Sequence, residues 1–146
     1  MKTIFSKKHS LHNSLTELSG GQLVKPFECP ERIEFILNEI LKCKLGPVCE
    51  PTKQNLNIIN KVHDKNYINF LENAWNEWIQ EGFLGEAIPT VWPSRSMNSK
   101  MIPKNIEGKL GYYCLANETS ISKGTIEAAY ESVRVALTAA EMLKEE

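Results

Sequence analysis

The stretch "KVHDKNYINFLENAWNEWIQEG", residues 61–82, decides how the chain is read. Tyr67, Phe70, Leu71, Ala74, Trp75 and Trp78 recur at helical spacing, which predicts an amphipathic helix with one face in a core. Asp64, the chain's single aspartate, precedes the run. A carboxylate there accepts hydrogen bonds from the first free N–H groups of the helix and faces the positive end of its dipole. Gly82 suits the C-terminal cap. His63 beside Asp64 invites a catalytic or metal-binding reading. The plainer reading makes the pair scaffold, with Asp64 as cap and His63 as a buried, hydrogen-bonded ring between elements. Trp75 and Trp78 are read as core or interface aromatics.

Working outward, "MKTIFS" at the start is short and alternating and reads as a β-strand. The segment that follows, about residues 10–30, is read as a long loop, because Gly20-Gly21, Pro26 and Pro30 forbid a continuous helix. Pro30 fits the first turn of the next helix. There Ile33, Ile36, Leu37, Ile40 and Leu41 form one stripe that predicts a buried face, and Gly46-Pro47 is expected to stop it. Residues 51–63 suggest a short helix with Leu56 and Ile59 inward. Residues 83–106, with Pro89, Pro93 and Pro103, read as a second long loop. Residues 107–122 are ambiguous between loop and short helix. From Ser122 onward Ile126, Ala129, Val133, Ala136, Leu137, Ala140 and Leu143 predict a last helix with those residues on its buried side.

The 146 residues are the size of one domain, 1–146, and can support a core. Hydrophobic residues make up 42% and charged residues 24%, with a net charge of -1. Basic residues are scattered, which argues against a nucleic-acid groove. No apolar run approaches the ~20 residues of a membrane helix, and the N-terminus lacks the apolar core of a secretory signal. Cys29, Cys43, Cys49 and Cys114 show no CxxC spacing, so reduced thiols and a cytoplasmic location are expected.

Metal and nucleophile signatures are weak. His9 and His12 are spaced i, i+3 in a strand end or loop and read as exposed loop histidines. Cys43 and Cys49 straddle the Gly-Pro turn with no His or second pair nearby. No G-x-S-x-G elbow or Walker loop is present. The carboxylates on the loops, Glu17, Glu107 and Glu118, are the candidates for binding. Acidic groups converging at a pocket mouth attract a polycation, and Tyr112 and Tyr113 could meet its ammonium groups through their ring faces.

The order strand, then helices, is how a parallel α/β sheet opens. A lone strand cannot satisfy its backbone groups, so further strands are expected to belong to the same sheet.

"VHDKNYINFLENAW", residues 62–75, resembles the VHDxxYLxFL signature of the histone deacetylase and acetylpolyamine amidohydrolase superfamily. "IFSKKHSLHNSLTELSGGQLVKPFECPERIEFIL", residues 4–37, is similar to the opening of bacterial members, and "IPKNIEGKLGYYCLANETSISKGTIEAA", residues 102–129, resembles the same subfamily. The similarity runs from Met1 to about Ala140. It implies an α/β chain, the N-terminal portion of the arginase-deacetylase fold, three-layered around a parallel sheet, here incomplete and helix-rich. It also implies zinc-dependent hydrolysis of the N-acetyl amides of acetylated polyamines by the full-length family. The family's Asp-x-His pair, second Asp and His-His segment have no counterpart in residues 1–146. No catalytic residue and no metal ligand are therefore assigned to this chain, and no cofactor is expected in it. By resemblance Glu17, Glu107 and Glu118 lie at a substrate-binding rim. The 83–106 loop, with Trp92, resembles a dimerisation insertion, so a homo-oligomer is expected through it. Ser19 stands where the family pattern carries an aromatic residue, which alters the expected rim shape.

Overall fold

The computed structural model describes residues 1–98, 100–118 and 120–145. The chain divides into two compact units. One comprises Met1–Asn13, Glu28–Lys61 and Gly124–Glu146; the other comprises Ser14–Phe27 and Val62–Lys123.

In the first unit, strand β1 (Thr3–Ile4) pairs in parallel with β4 (Val48–Cys49), in the register Thr3↔Val48 and Ile4↔Cys49. The Thr3 N–H donates to Pro47 O at 3.0 Å and the Phe5 N–H to Cys49 O at 2.9 Å, extending the ladder at both ends. The expected first strand is present. Its partner is not legible from the sequence, because Val48–Cys49 directly follows Gly46-Pro47, which reads only as the stop of a helix.

Helix α1 (Glu31–Lys42) follows Pro30, which occupies the N-cap position rather than the first turn. The helix ends on a residue that the pattern does not single out. Lys44 adopts φ 50°, its N–H donates to Leu41 O, and the Leu45 N–H reaches back to Ile40 O, both at 3.1 Å. These two bonds satisfy the carbonyls of Ile40 and Leu41 at the helix end. Gly46 is needed for a different reason. A side chain there would overlap the backbone of Met1, whose amino group donates to Leu45 O. The apolar stripe of α1 is covered only in part, with Leu37 and Ile40 half-buried. Ile36 and Leu41 are each 55% exposed, and no residue of the helix is buried.

Helix α4 (Thr125–Glu145) starts beyond Ser122 and buries a different face from the one the apolar pattern points to. Its buried positions are Ala128, Glu131 and Thr138; of the expected stripe Ile126, Val133 and Leu137 are half-buried, whereas Ala129, Ala136, Ala140 and Leu143 are exposed. The reason is local satisfaction of polar groups. Glu131 accepts from Ser6 Oγ and Arg134 Nη1, each at 2.9 Å, and Thr138 Oγ1 accepts the Thr52 N–H at 3.0 Å. Paired polar groups tolerate burial that unpaired ones do not. A 3₁₀ turn at Lys7–Leu11 packs on α4, and Gly124 is required there because a side chain would overlap the backbone of Leu11. A second turn, Leu56–Lys61, buries Ile59 as expected.

In the second unit, helix α2 (Lys65–Gln80) begins where the capping pattern predicts. Asp64 is extended, and its carboxylate accepts the N–H groups of Asn66 at 2.8 Å and Tyr67 at 3.3 Å. Gly82, at φ 82°, donates to Ile79 O and closes the helix. Phe70 and Ala74 are buried with Ala87, Ile106, Leu110, Cys114 and Ile121, and Tyr67, Leu71, Trp75 and Trp78 pack around them. Helix α3 (Ile106–Tyr113) resolves the ambiguous segment in favour of a helix, capped by the Asn105 carboxamide on the Gly108 N–H. Lys109 Nζ ties α3 to α2 by reaching both oxygens of Glu77, at 2.8 and 2.6 Å.

The 10–30 segment is not all loop. Strands β2 (Glu17–Ser19) and β3 (Gln22–Val24) form an antiparallel hairpin. Gly20 and Gly21, at φ 57° and 80°, make the two-residue turn whose backbone twist matches the strands. Among the described residues no helix is long and apolar enough to cross a membrane.

Candidate functional site

The three carboxylates expected at a rim all fall in the second unit, on three different kinds of backbone. Glu17 is the first residue of β2, opposite Val24, and is half-buried. Glu107 lies in the first turn of α3, where its negative charge meets the positive end of the helix. Glu118 lies in the irregular segment after α3. Glu107 and Glu118 are exposed. Among the described residues no protein donor engages any of the three side chains.

The approach to Glu17 is firmly held. Glu86, in the 83–106 segment, receives the Leu15 N–H at 2.9 Å, the Thr16 N–H at 3.0 Å and the Thr16 hydroxyl at 3.0 Å. Ser14 Oγ and Ser120 Oγ are 2.5 Å apart. Ala87 and Ile121 exchange both backbone hydrogen bonds, at 2.9 and 3.0 Å. No sequence signal marks Glu86, because a carboxylate in a proline- and glycine-containing segment looks the same whether solvated or engaged.

Tyr112 and Tyr113 line a cleft of about 430 Å³ together with Asp64, Asn66, Tyr67, Lys100 and Ile102. None of the three candidate glutamates lines it. Tyr113 stacks on Phe70 at 4.7 Å between centroids and meets Tyr112 edge-on at 4.8 Å. Burial, with Tyr112 and Asp64 nearby, raises the Tyr113 pKa above the ordinary tyrosine value; burial and Cys114 do the same for Tyr67. Both phenols stay protonated at neutral pH and can donate hydrogen bonds.

His63 is exposed, with its ring 6.0 Å from that of Tyr67, rather than buried between elements. It precedes the cap, where the chain has not yet turned into the core. His9 and His12 are not loose. His9 Nε2 lies 3.2 Å from Glu34 Oε1, and His12 Nδ1 lies 2.9 Å from Thr125 Oγ1, so the two rings serve different partners. Cys29, Cys43, Cys49 and Cys114 are free thiols; burial pushes Cys114 up to about 11. Among the described residues no three His, Cys, Asp or Glu side chains gather closely enough to hold a metal ion. The described residues therefore offer no ligand set for the zinc ion implied by the resemblance.

The 83–106 segment is anchored at its middle. Trp92 Nε1 donates to Cys114 O at 2.9 Å, at the end of α3. Gly111 faces the Val91 carbonyl with no room for a side chain.

An acetylpolyamine amidohydrolase of Mycoplana ramosa is 48% identical over 143 residues, covering 98% of this chain and 42% of its own length. Acetylpolyamine amidohydrolase 2 of Pseudomonas aeruginosa is 38% identical over 138 residues, covering 94% of this chain and 40% of its own length. The crystal structure of an acetylpolyamine aminohydrolase from Burkholderia pseudomallei superposes with a TM-score of 0.87 at 28% identity, over 99% of this chain and 42% of that one. The chain thus spans about two fifths of the length of these relatives. Residues 26–146 match the histone deacetylase domain, and the chain belongs to the histone deacetylase family.

Proposed function

We propose that the chain is the N-terminal part of a zinc-dependent deacetylase domain of the acetylpolyamine amidohydrolase kind, acting in the cytoplasm. In the complete protein, water hydrolyses the N-acetyl amide of an acetylated polyamine, releasing acetate and the free amine. The observation that carries this reading is the 48% identity to the Mycoplana enzyme over 98% of the chain.

The chain's own contribution is recognition and scaffold. Glu17, Glu107 and Glu118 present negative charge that draws in the ammonium groups of a polyamine. Each such solvent-accessible pairing is worth roughly 0.2–1 kcal/mol, so the set gives modest affinity and a faster encounter. The bond-breaking chemistry is not assigned to these residues, and no nucleic-acid role is assigned either.

The test is a deacetylation assay on acetylated spermidine with zinc added to the purified chain. No acetate release above the uncatalysed rate is expected. Turnover by the chain alone would mean that the catalytic groups have been misplaced.

A second reading, a dimerisation module or modulator of the full-length enzyme, is favoured by the apolar side chains of the 83–106 segment. Val91, Met97 and Met101 are 55%, 60% and 69% exposed. Light scattering discriminates: a dimer supports this reading, and a monomer at high concentration, inert towards a full-length relative, removes it.

A further inference from the structure

We infer that Glu86 is the positioning residue of the acidic rim, clamping the chain immediately before Glu17 so that this carboxylate stands ready for an ammonium group. The inference rests on the reading of Glu17 as a cation-attracting residue and adds to it the device that holds Glu17 in place.

The geometry is a carboxylate engaged by three donors. Leu15 N–H binds Oε1, while Thr16 N–H and Thr16 Oγ1–H both bind Oε2. Hydrogen bonds to a charged acceptor are roughly twice as strong as neutral ones. A carboxylate so engaged has little left to offer a ligand cation, so Glu86 acts through the backbone it holds and not by contact. The next residue along that backbone is Glu17, where β2 begins.

Two further links make the clamp a closed frame. The Ser14–Ser120 hydrogen bond ties the same stretch to the chain two residues beyond Glu118, and the Ala87–Ile121 bridge joins the residue after Glu86 to the residue after Ser120. Residues 14–16, 86–87 and 120–121 therefore hold one another, with Glu17 and Glu118 next to the frame in sequence. Glu107, on α3, stands outside it. Ordering a carboxylate before the ligand arrives lowers the entropy lost on binding. Without the Glu86 carboxylate, the amides of Leu15 and Thr16 turn to water and the entry to β2 loosens.

The experiment is a double-mutant cycle read by calorimetry, with spermidine as the probe at low salt. Glu86→Ala is expected to weaken spermidine binding about two- to fivefold in the otherwise unchanged chain, the span of an exposed ion pair. In a Glu17→Gln background the same substitution should change affinity less than about 1.5-fold, because the residue it positions has lost its charge. Amide hydrogen exchange should accelerate at Leu15 and Thr16. A general loss of structure would instead weaken binding equally in both backgrounds, and that result overturns the assignment, as does unchanged exchange at the two amides. If Glu86→Ala does not fold, Glu86→Gln, which keeps acceptor oxygen but loses the charge, carries the same cycle with a smaller effect. A wild-type chain that gives no heat beyond ionic background overturns the rim reading, and the role of Glu86 with it. Binding with an additive cycle overturns the role of Glu86 alone.

Discussion

Ser6 and Glu131 lie 125 positions apart in sequence, and their side chains meet at 2.9 Å, fastening the end of the first strand segment to the buried face of α4. Glu131 is 8% exposed and also receives Arg134 at 2.9 Å. Burial alone would raise its pKa, but the hydrogen bonds from Ser6 and Arg134, with the positive charges of Arg134 and Lys8, outweigh burial and lower it below the ordinary 4.5. A depressed carboxylate stabilises the fold fully above its unfolded pKa and loses that contribution as pH falls through the folded value. Acid titration followed by circular dichroism should show stability declining below about pH 4.5. Glu131→Gln should flatten that decline and cost roughly 1.5–3 kcal/mol at neutral pH, the worth of hydrogen bonds to a charged group.

The Asp64 cap makes a separate prediction. Asp64→Ala should destabilise the second unit by roughly 0.5–2 kcal/mol, whereas Asp64→Asn should be nearly neutral, because asparagine caps about as well. Urea unfolding of the two variants side by side checks this. Equal losses would mean that the charge and not the capping geometry carries the effect.

Cys114 should be chemically silent. Its thiol is pushed up to about 11 by burial and is 7% exposed, while Cys43 is exposed. Thiolate is the reactive form, so iodoacetamide at pH 8 should label Cys43 in the native chain and Cys114 only after unfolding. A thiol whose pKa is raised on folding favours the native state below its unfolded value. Stability should therefore fall as pH rises from about 9 towards about 11.

Two glycines should respond differently to alanine. At Gly111 a side chain has no space beside the Val91 carbonyl, whereas at Gly20 nothing lies within 4 Å. Gly111→Ala forces the 83–106 segment off α3 and should cost at least about 1–3 kcal/mol. Gly20→Ala bears only the left-handed backbone penalty, roughly 1–2 kcal/mol. Thermal melts of both variants, followed by circular dichroism, separate the two.

Legibility follows the physics of each element. α2 and its Asp64 cap can be read because a long apolar period and a capping residue agree. β1 can be read from the alternation of MKTIFS around it, but β4 cannot, since Val48 and Cys49 sit just after the Gly46-Pro47 breaker. Gly20-Gly21 reads first as a helix breaker, although two glycines between short apolar runs also make the tight hairpin found here. The apolar stripe of α4 misleads because its buried face carries Glu131 and Thr138, whose partners Ser6 and Thr52 are far away in sequence. Lys44 does not stand out because glycine, not lysine, is the usual residue at a left-handed helix end. The candidate rim glutamates can be named from the sequence and the family resemblance, but the hydrogen bond from Thr16 to Glu86 spans 70 residues. Nothing in the local sequence announces it.

Equilibrium dialysis of the purified chain against zinc ion most directly tests whether these 146 residues supply scaffold and acidic rim without a metal centre. The expected result is no tightly held, stoichiometric zinc per chain, with weak binding that salt and mild chelators remove. One zinc retained per monomer, and lost on substituting side chains of this chain, would contradict that division of labour.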